Sequence, residues 1–580
     1  MHGSLRLRSG QATPLTTGQT CRNPWCKAVF EIHADEEAFL QKIGWKFGST
    51  EVHPPLPVFC PECRLKIRTC HRNERNFYRR KANLTGKEMV SIYHEDPLWG
   101  PPDMVYMHDE WNDDQQDFIE HGRPYDFSRS FFVQFGELHK AVPRLGSMVI
   151  GNENCDYTAG TGYCRNCYLI NSSEYCEDCY YGKLMQSCKD SVDCSYLYNS
   201  ELCYDCFSVF KSYNCVSVAF SSNCRDCFYS WNLSGCSNCC LCSNLRQKQY
   251  HFLNEPLTKE EYERRVQEFR GSYIKMEEMR RKWEELNKTM IHRYANIVNS
   301  ENCTGDFIEN SKNCLDCYDV NESQDCRYVA VGVQVKDNYD CSNMYIKPEL
   351  CYDTLGTIEA YNCAYSLFVF HSQNLLYCEY CFNCKDCFGC VGLRRKQYCI
   401  FNQQHTKEEY EKLVPQIIEQ MKESGEWGLY FPPSLSPFGY NESLAHEYYP
   451  LTEKETHVQG YYWRKIEEKK PVVSKTIPAA RLPDSIDDIP DDVVDWAIVC
   501  EKTKRPFRIL KQEIDFYRRQ KLPIPHLHPD ERYDRRLALR NPCTLFTRTC
   551  MKCGKPIETT YPPERPEIVY CDACYLSEVY

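Results

Sequence analysis

Between Cys164 and Cys236 the chain keeps returning to one twelve-residue unit, and that period limits what it can fold into. CRNCYLINSSEY, CEDCYYGKLMQS, SVDCSYLYNSEL, CYDCFSVFKSYN and CRDCFYSWNLSG are variations on C-x2-C-[YF], with intervening steps of three and nine residues that shift the phase. Runs of Tyr, Phe, Val and Ser broken by Asn, Gly and Asp predict short strands joined by tight turns. Self-similarity at so short a period predicts a β-solenoid-like stack, with equivalent side chains about 4.8 Å apart along the ladder.

The chain holds 40 cysteines. No apolar export signal opens it, so we expect a cytoplasmic protein with reduced thiols rather than a disulfide framework. Within the repeats two readings compete. Cysteine can be a compact ladder residue interchangeable with serine, as Ser191 and Val218 at pair positions suggest, or neighbouring pairs can clamp further metal. Cys378, Cys381, Cys384, Cys387 and Cys390 form the densest cluster, matched by Cys236, Cys239, Cys240 and Cys242.

Two duplications order the chain. LRQKQYHFLNEPLTKEEYERRV (245–266) matches LRRKQYCIFNQQHTKEEYEKLV (393–414) without a gap at an offset of 148 residues. In each copy a threonine, Thr258 or Thr406, stands three residues before Glu261 or Glu409, a capping box that predicts a helix closing each block. The second duplication joins the ends: RNERNFYRRKANLTGKEMVSIY from Arg72 matches RNPCTLFTRTCMKCGKPIETTY from Arg540. Both ends descend from one module with two four-ligand positions.

Each end keeps one of those positions. Cys550-x2-Cys553, seventeen residues, then Cys571-x2-Cys574 make a closed tetrathiolate of zinc-ribbon spacing. Its N-terminal equivalents are Ala82, Thr85, Met107 and Glu110, which cannot hold zinc. At the other position Cys21, Cys26, Cys60 and Cys63 are complete, whereas the C-terminal copy reads Cys500, Thr503, His528 and Glu531. Four thiolates leave no open coordination position, so the expected role is structural: about two Zn2+ ions, with further metal in the repeats as an open alternative.

These parts predict a mainly β chain with helical caps: duplicated solenoid-like blocks flanked by zinc-ribbon or treble-clef-like modules. The expected division is a loose tail (1–20), an N-terminal zinc module with an acidic and aromatic extension (21–149) and a first block (150–256). A helical segment (257–299), a second block (300–402), a helix with aromatic connector (403–475), an acidic linker (476–498) and a C-terminal zinc module (499–580) complete it. No apolar run approaches a membrane span. Net charge is −11, yet Arg64, Lys66, Arg68, Arg72, Arg75, Arg79, Arg80 and Lys81 oppose only Glu74, and 502–548 is likewise basic. Such runs are either solvated faces or a patch for nucleic acid.

CPECRLKIRTCHRNERNFYRR, DFSRSFFVQFGELHKAVPR, LRRKQYCIFNQQHTKEEYEKLV, GEWGLYFPPSLSPFGYNE and RPEIVYCDACYLSEVY resemble segments of a family of cysteine-rich bacterial proteins without an assigned activity. The resemblance spans nearly the whole chain and implies no known activity; its members often carry cysteine where this chain has Ala82. The C-terminus is similar to small prokaryotic C-x2-C/C-x2-C-Y zinc ribbons. The expected function is therefore a non-catalytic, zinc-binding scaffold or adaptor for a protein or nucleic-acid partner. The alternatives are a redox or iron–sulfur protein using the C-x2-C repeats, and a carbohydrate-active enzyme using Asp109, Glu110, Asp113, Asp114 and Asp117. No nucleotide-binding, hydrolase or metalloprotease motif supports an enzyme.

Overall fold

The computed structural model describes residues 18–98, 103–465 and 472–579; most of the expected tail, 1–20, lies outside the described residues. Strand is the dominant element, and helices are fewer. In the first block successive strands pair in parallel at a constant twelve-residue step: Lys183 faces Ser195, Ser195 faces Phe207 and Phe207 faces Ala219. The phase shift read from the motif is therefore absent from the ladder. The reason is a finer period of three. Every third residue from Asn154 to Leu253, Gly160 and Gly235 included, has φ near +50 to +60°, and from Thr158 to Cys242 the residue after each one is buried in the block. Steps of three or nine move the cysteine motif along the ladder while keeping cysteines on the inner side.

The inner position explains why cysteine and serine alternate. Ser191 Oγ donates to the Lys189 carbonyl (2.9 Å) and accepts from the Cys203 amide one step on (3.2 Å). Cys155 does the same work with sulfur, its Sγ lying 3.3 Å from the Glu153 carbonyl and 3.4 Å from the Cys167 amide. Inward amides lie off the strand ladder, and a buried donor left alone is costly. We predict that Ser191→Cys changes unfolding free energy by less than about 1 kcal/mol, whereas Ser191→Val, which orphans the Cys203 amide, costs about 1–3 kcal/mol. Equal chemical denaturation curves for the two variants would refute this account.

The second block follows the same rule with two irregularities that cancel. Left-handed residues step by two at Gly305–Phe307 and fall on the adjacent pair Ile346 and Lys347. Partners are accordingly thirteen apart where Asn338 faces Cys351. Equivalences with the first block are thus offset by 147 in the middle and 148 at both ends, which is why only the ends superpose without a gap.

Each block closes with an antiparallel hairpin, Gln249–Phe252 with Glu255–Pro256 and Gln397–Ile400 with Gln403–Gln404. The capped helices Lys259–Gln267 and Lys407–Glu423 come next; Thr258 and Thr406 accept from the Glu261 and Glu409 amides, and Glu409 closes the box on the Thr406 amide (3.0 Å) whereas Glu261 pairs with Arg264 and Arg265. Tyr262 packs on Tyr250 and Tyr410 on Tyr398, the same pair twice. Gly271 (φ +83°) separates the first helix from Tyr273–Thr289.

The terminal modules cross over. Helices Ala34–Lys42 and Pro61–Thr69 lie on the second block, their Phe39, Leu40 and Ile67 sharing a core with Tyr352, Leu355 and Tyr365. The C-terminal counterparts, Lys511–Gln520 and Pro529–Leu537, lie on the first block, where Phe516 and Tyr517 join Tyr204 and Phe207. Residues 476–498, expected as an acidic linker, instead form part of that core. Strand Lys475–Pro478 pairs with Trp496–Val499, and Leu482, Ile486, Ile489 and Val493 are buried between them and the first block. The acids sit on the outer side of an amphipathic strap. Among the described residues no helix is long and apolar enough to cross a membrane.

Candidate metal centres

All 40 cysteines are free thiols. Among the described residues, two groups of metal-ligating side chains come together: Cys21, Cys26, Cys60 and Cys63, and Cys550, Cys553, Cys571 and Cys574, with the ligand atoms of each within 4.8 Å of one another. Either group could hold a metal ion. The dense repeat clusters around Cys378–Cys390 and Cys236–Cys242 form no such group, because their thiols are distributed along the ladder and bonded to backbone carbonyls two residues back.

Both centres are built alike. A knuckle supplies two cysteines, and a helix N-terminus supplies the others. Cys60 caps helix Pro61–Thr69 and Cys63 lies in its first turn. Cys571 immediately precedes helix Asp572–Val579, which carries Cys574. In the second centre the knuckle joins strands Phe546–Thr549 and Pro556–Thr559. Gly554 there has φ +71°, a left-handed turn that glycine adopts without a side-chain penalty. Cys26 and Cys60 sulfurs are 3.8 Å apart, and Cys553 and Cys571 sulfurs 3.7 Å. Desolvation raises the Cys550 thiol, but hydrogen bonds from the Cys553, Cys571 and Lys552 backbone overcome it and bring it down to about 6. Hydrogen bonding from Cys63 holds Cys60 down to about 5. Thiolate, the form a metal binds, is favoured at one sulfur in each set.

The lost centres keep their backbone frames. Strand Tyr78–Lys81 pairs with Glu88–Ser91 in the register of the C-terminal hairpin. The bond from the Ala82 amide to the Lys87 carbonyl (2.8 Å) repeats that from Cys550 to Lys555 (2.7 Å). In place of metal, the Thr85 hydroxyl donates to Glu110, whose other oxygen accepts from the Met107 amide at 3.0 Å. At the other position the Cys500 amide bonds Arg505 as Cys21 bonds Ala28, both at 2.9 Å. There Glu531 pairs with Lys502 at 2.7 Å and His528 with Asp530 at 3.3 Å. A remnant site using Cys500, His528 and Glu531 is not assembled.

The central arginines of each basic run are spent inside the molecule, whereas Lys502, Lys504, Arg508, Lys511, Arg519 and Lys521 of the second run stay exposed. Arg64 reaches Asp340 (2.8 Å) and Glu36 (3.6 Å), and its counterpart Arg532 pairs with Asp193 and Glu513 (3.5 Å). Arg68 pairs with Asp353 at 2.7 Å, and Arg536 with Asp193 at 3.0 Å. These four arginines are 5% exposed or less. Lys66 is buried over the rings of Trp25 and Tyr449, and Arg80 donates to the carbonyls of His94 and Asp103. Only Arg79 and Lys81 of that run are fully exposed, with Arg75 half-buried. The sequence missed this use because the block aspartates, Asp340, Asp353 and Asp193, lie hundreds of residues away.

The acids of the stretch Asp109–Asp117 are either engaged in local contacts or exposed. Glu110 caps a helix and Asp117 pairs with Lys396 at 2.6 Å. Asp109, Asp113 and Asp114 are exposed.

No family model matches the chain, and no curated protein matches it. A solved structure described as a "putative acetyltransferase from Desulfovibrio desulfuricans G20" is 11% identical over 42% of this chain, with a TM-score of 0.11. The match spans 63% of that structure's chain, less than two thirds of it. A likeness this low carries no argument about fold or chemistry.

Proposed function

We propose that this is a zinc-stabilised, non-catalytic scaffold or adaptor that works in a reducing, cytoplasmic setting. The observation that carries the reading is the two convergent four-thiol sets, at opposite ends of the chain, each joining a knuckle to a helix of its own terminal module. Four soft ligands in a closed shell suit Zn2+ held structurally. Two ligands on a helix and two on a knuckle make both modules treble-clef-like, and the twelve-residue ladders are read as two short β-solenoids. The kinship with cysteine-rich bacterial proteins belongs to the same proposal.

A protein partner is favoured over nucleic acid, because Arg64, Arg68, Arg532 and Arg536, at the centres of the two basic runs, already neutralise the blocks' own buried aspartates. Full-length protein is accordingly expected to bind single-stranded RNA and DNA weakly at physiological salt. Metal analysis tests the core of the reading. Purified chain should be colourless and carry two zinc ions, one for each set. Brown protein, or many metal equivalents per chain, would point instead to an iron–sulfur or thiol-storage protein.

A further inference from the structure

The two thiol sets differ in one respect that decides their chemistry. Three cysteines of the N-terminal set, Cys21, Cys60 and Cys63, are at most 4% exposed, and Phe30, Ile32, Phe59 and Trp25 close over them. In the C-terminal set only Cys550 is buried; Cys571 and Cys574 are half-buried and Cys553 is open to solvent. The close sulfur pairs, Cys26–Cys60 at 3.8 Å and Cys553–Cys571 at 3.7 Å, are nearly equal, so access is what separates the sets. Oxidants react with accessible thiolates, and zinc-bound sulfur keeps thiolate character.

We propose that the C-terminal set is a peroxide-modified site, in which hydroperoxide joins Cys553 to Cys571 and expels that zinc while the N-terminal set stays loaded. The proposal rests on both sets holding zinc. In the first step the Cys553 thiolate attacks one peroxide oxygen and the O–O bond breaks, giving a sulfenic acid and hydroxide. The Cys571 thiolate then displaces hydroxide from the sulfenyl sulfur, forming the S–S bond. Two sulfurs lose two electrons in total and hydrogen peroxide becomes two hydroxides. Zinc, left with two of its four ligands, departs as the aqua ion, and a thiol reductant reverses the sequence.

The position of the site gives the step a structural consequence. Strand Ile568–Tyr570, which leads into Cys571, pairs in parallel with Ile291–Arg293 at the entrance of the second block. The helix after Cys571 sends the Tyr575 hydroxyl to Asn244 (3.0 Å) and receives Asn232 (2.6 Å), both on the first block. Moving Cys571 therefore disturbs a joint between the two blocks.

The test uses full-length protein. Zinc per chain is measured first; a value other than two refutes the metal reading, whatever the response to peroxide. Hydrogen peroxide in modest excess is then added, released zinc is monitored with a chromogenic chelator, and disulfides are mapped by peptide mass spectrometry. The expected result is release of one of the two ions, a Cys553–Cys571 disulfide, and zinc rebinding after dithiothreitol. Release of both ions together, release of none, or a disulfide at any other pair overturns the proposal. Cys553→Ser serves as a second readout. Whether or not that variant keeps its C-terminal zinc, its N-terminal zinc must survive peroxide, and loss of that ion also overturns the proposal.

Discussion

Arg532→Ala is expected to destabilise the protein by about 3–5 kcal/mol, read as a large downward shift of the first unfolding transition in urea. Arg532 is 1% exposed and pairs with Asp193 and Glu513, which are themselves buried. Removing the guanidinium leaves Asp193 to Arg536 alone and Glu513 with only the hydrogen bonds of Tyr181, Tyr517 and the Leu510 amide. Burial already raises the Glu513 carboxyl, and Arg532 is the first of the groups that lower it. Without Arg532 that acid is expected to take up a proton on folding. Arg519 is the internal control: it pairs with Asp190 at 2.8 Å but is half exposed, and its alanine variant should change stability by no more than about 1 kcal/mol. The same contrast should hold at the other end for Arg68, whose partner Asp353 is buried on the second block. If Arg532→Ala and Arg519→Ala unfold at the same urea concentration, the buried ion pairs are not what fastens the modules to the blocks.

That pairing also measures how far the sequence can be read. The four-thiol sets, the helix caps and the duplicated ends were legible because each signal is local: C-x2-C, T-x2-E and Gly lie within a few residues of the atoms they serve. The arginine pairs were not legible, because Arg64 meets Asp340 and Arg532 meets Asp193 only after the modules cross onto opposite blocks. A trace existed all the same. Arg64 and Arg532 are equivalent in one duplication and Asp340 and Asp193 in the other, so two charges recur together in both copies. The acidic segment misled for a different reason. Counting Asp in LPDSIDDIPDDVVDW hides Leu482, Ile486, Ile489, Val493 and Trp496, whose spacing of four, three, four and three marks one apolar face. The cysteine period misled by being a multiple of the true one: three residues set the inward direction, and twelve set the strand pairing.

Rebuilding the lost N-terminal centre should add a third zinc ion. The combined change Ala82→Cys, Thr85→Cys, Met107→Cys and Glu110→Cys puts sulfur at the four places that Cys550, Cys553, Cys571 and Cys574 occupy in the other copy. The frame is ready for it. Hairpin registers coincide, and the Gly86 amide bonds Ala82 as the Gly554 amide bonds Cys550, both at 2.9 Å. The Trp111 amide bonds Met107 as the Tyr575 amide bonds Cys571, again both at 2.9 Å. Exposure also matches position by position, with Ala82 buried, Thr85 exposed, and Met107 and Glu110 half-buried. The substitution gives up the Thr85–Glu110 hydrogen bond and the Glu110 cap on the Met107 amide, about 1–3 kcal/mol together. A structural tetrathiolate contributes on the order of 10 kcal/mol in return. Zinc stoichiometry should therefore rise from two to three, and the melting temperature should rise in zinc and fall below that of the parent in a chelator. The chelator arm is the decisive one, since it exposes the cost of the substitutions without their compensation. A quadruple variant that still binds two ions would mean that the two ends share a chain path but not a ligand geometry, and the proposed descent of both from one two-site module would fail with it.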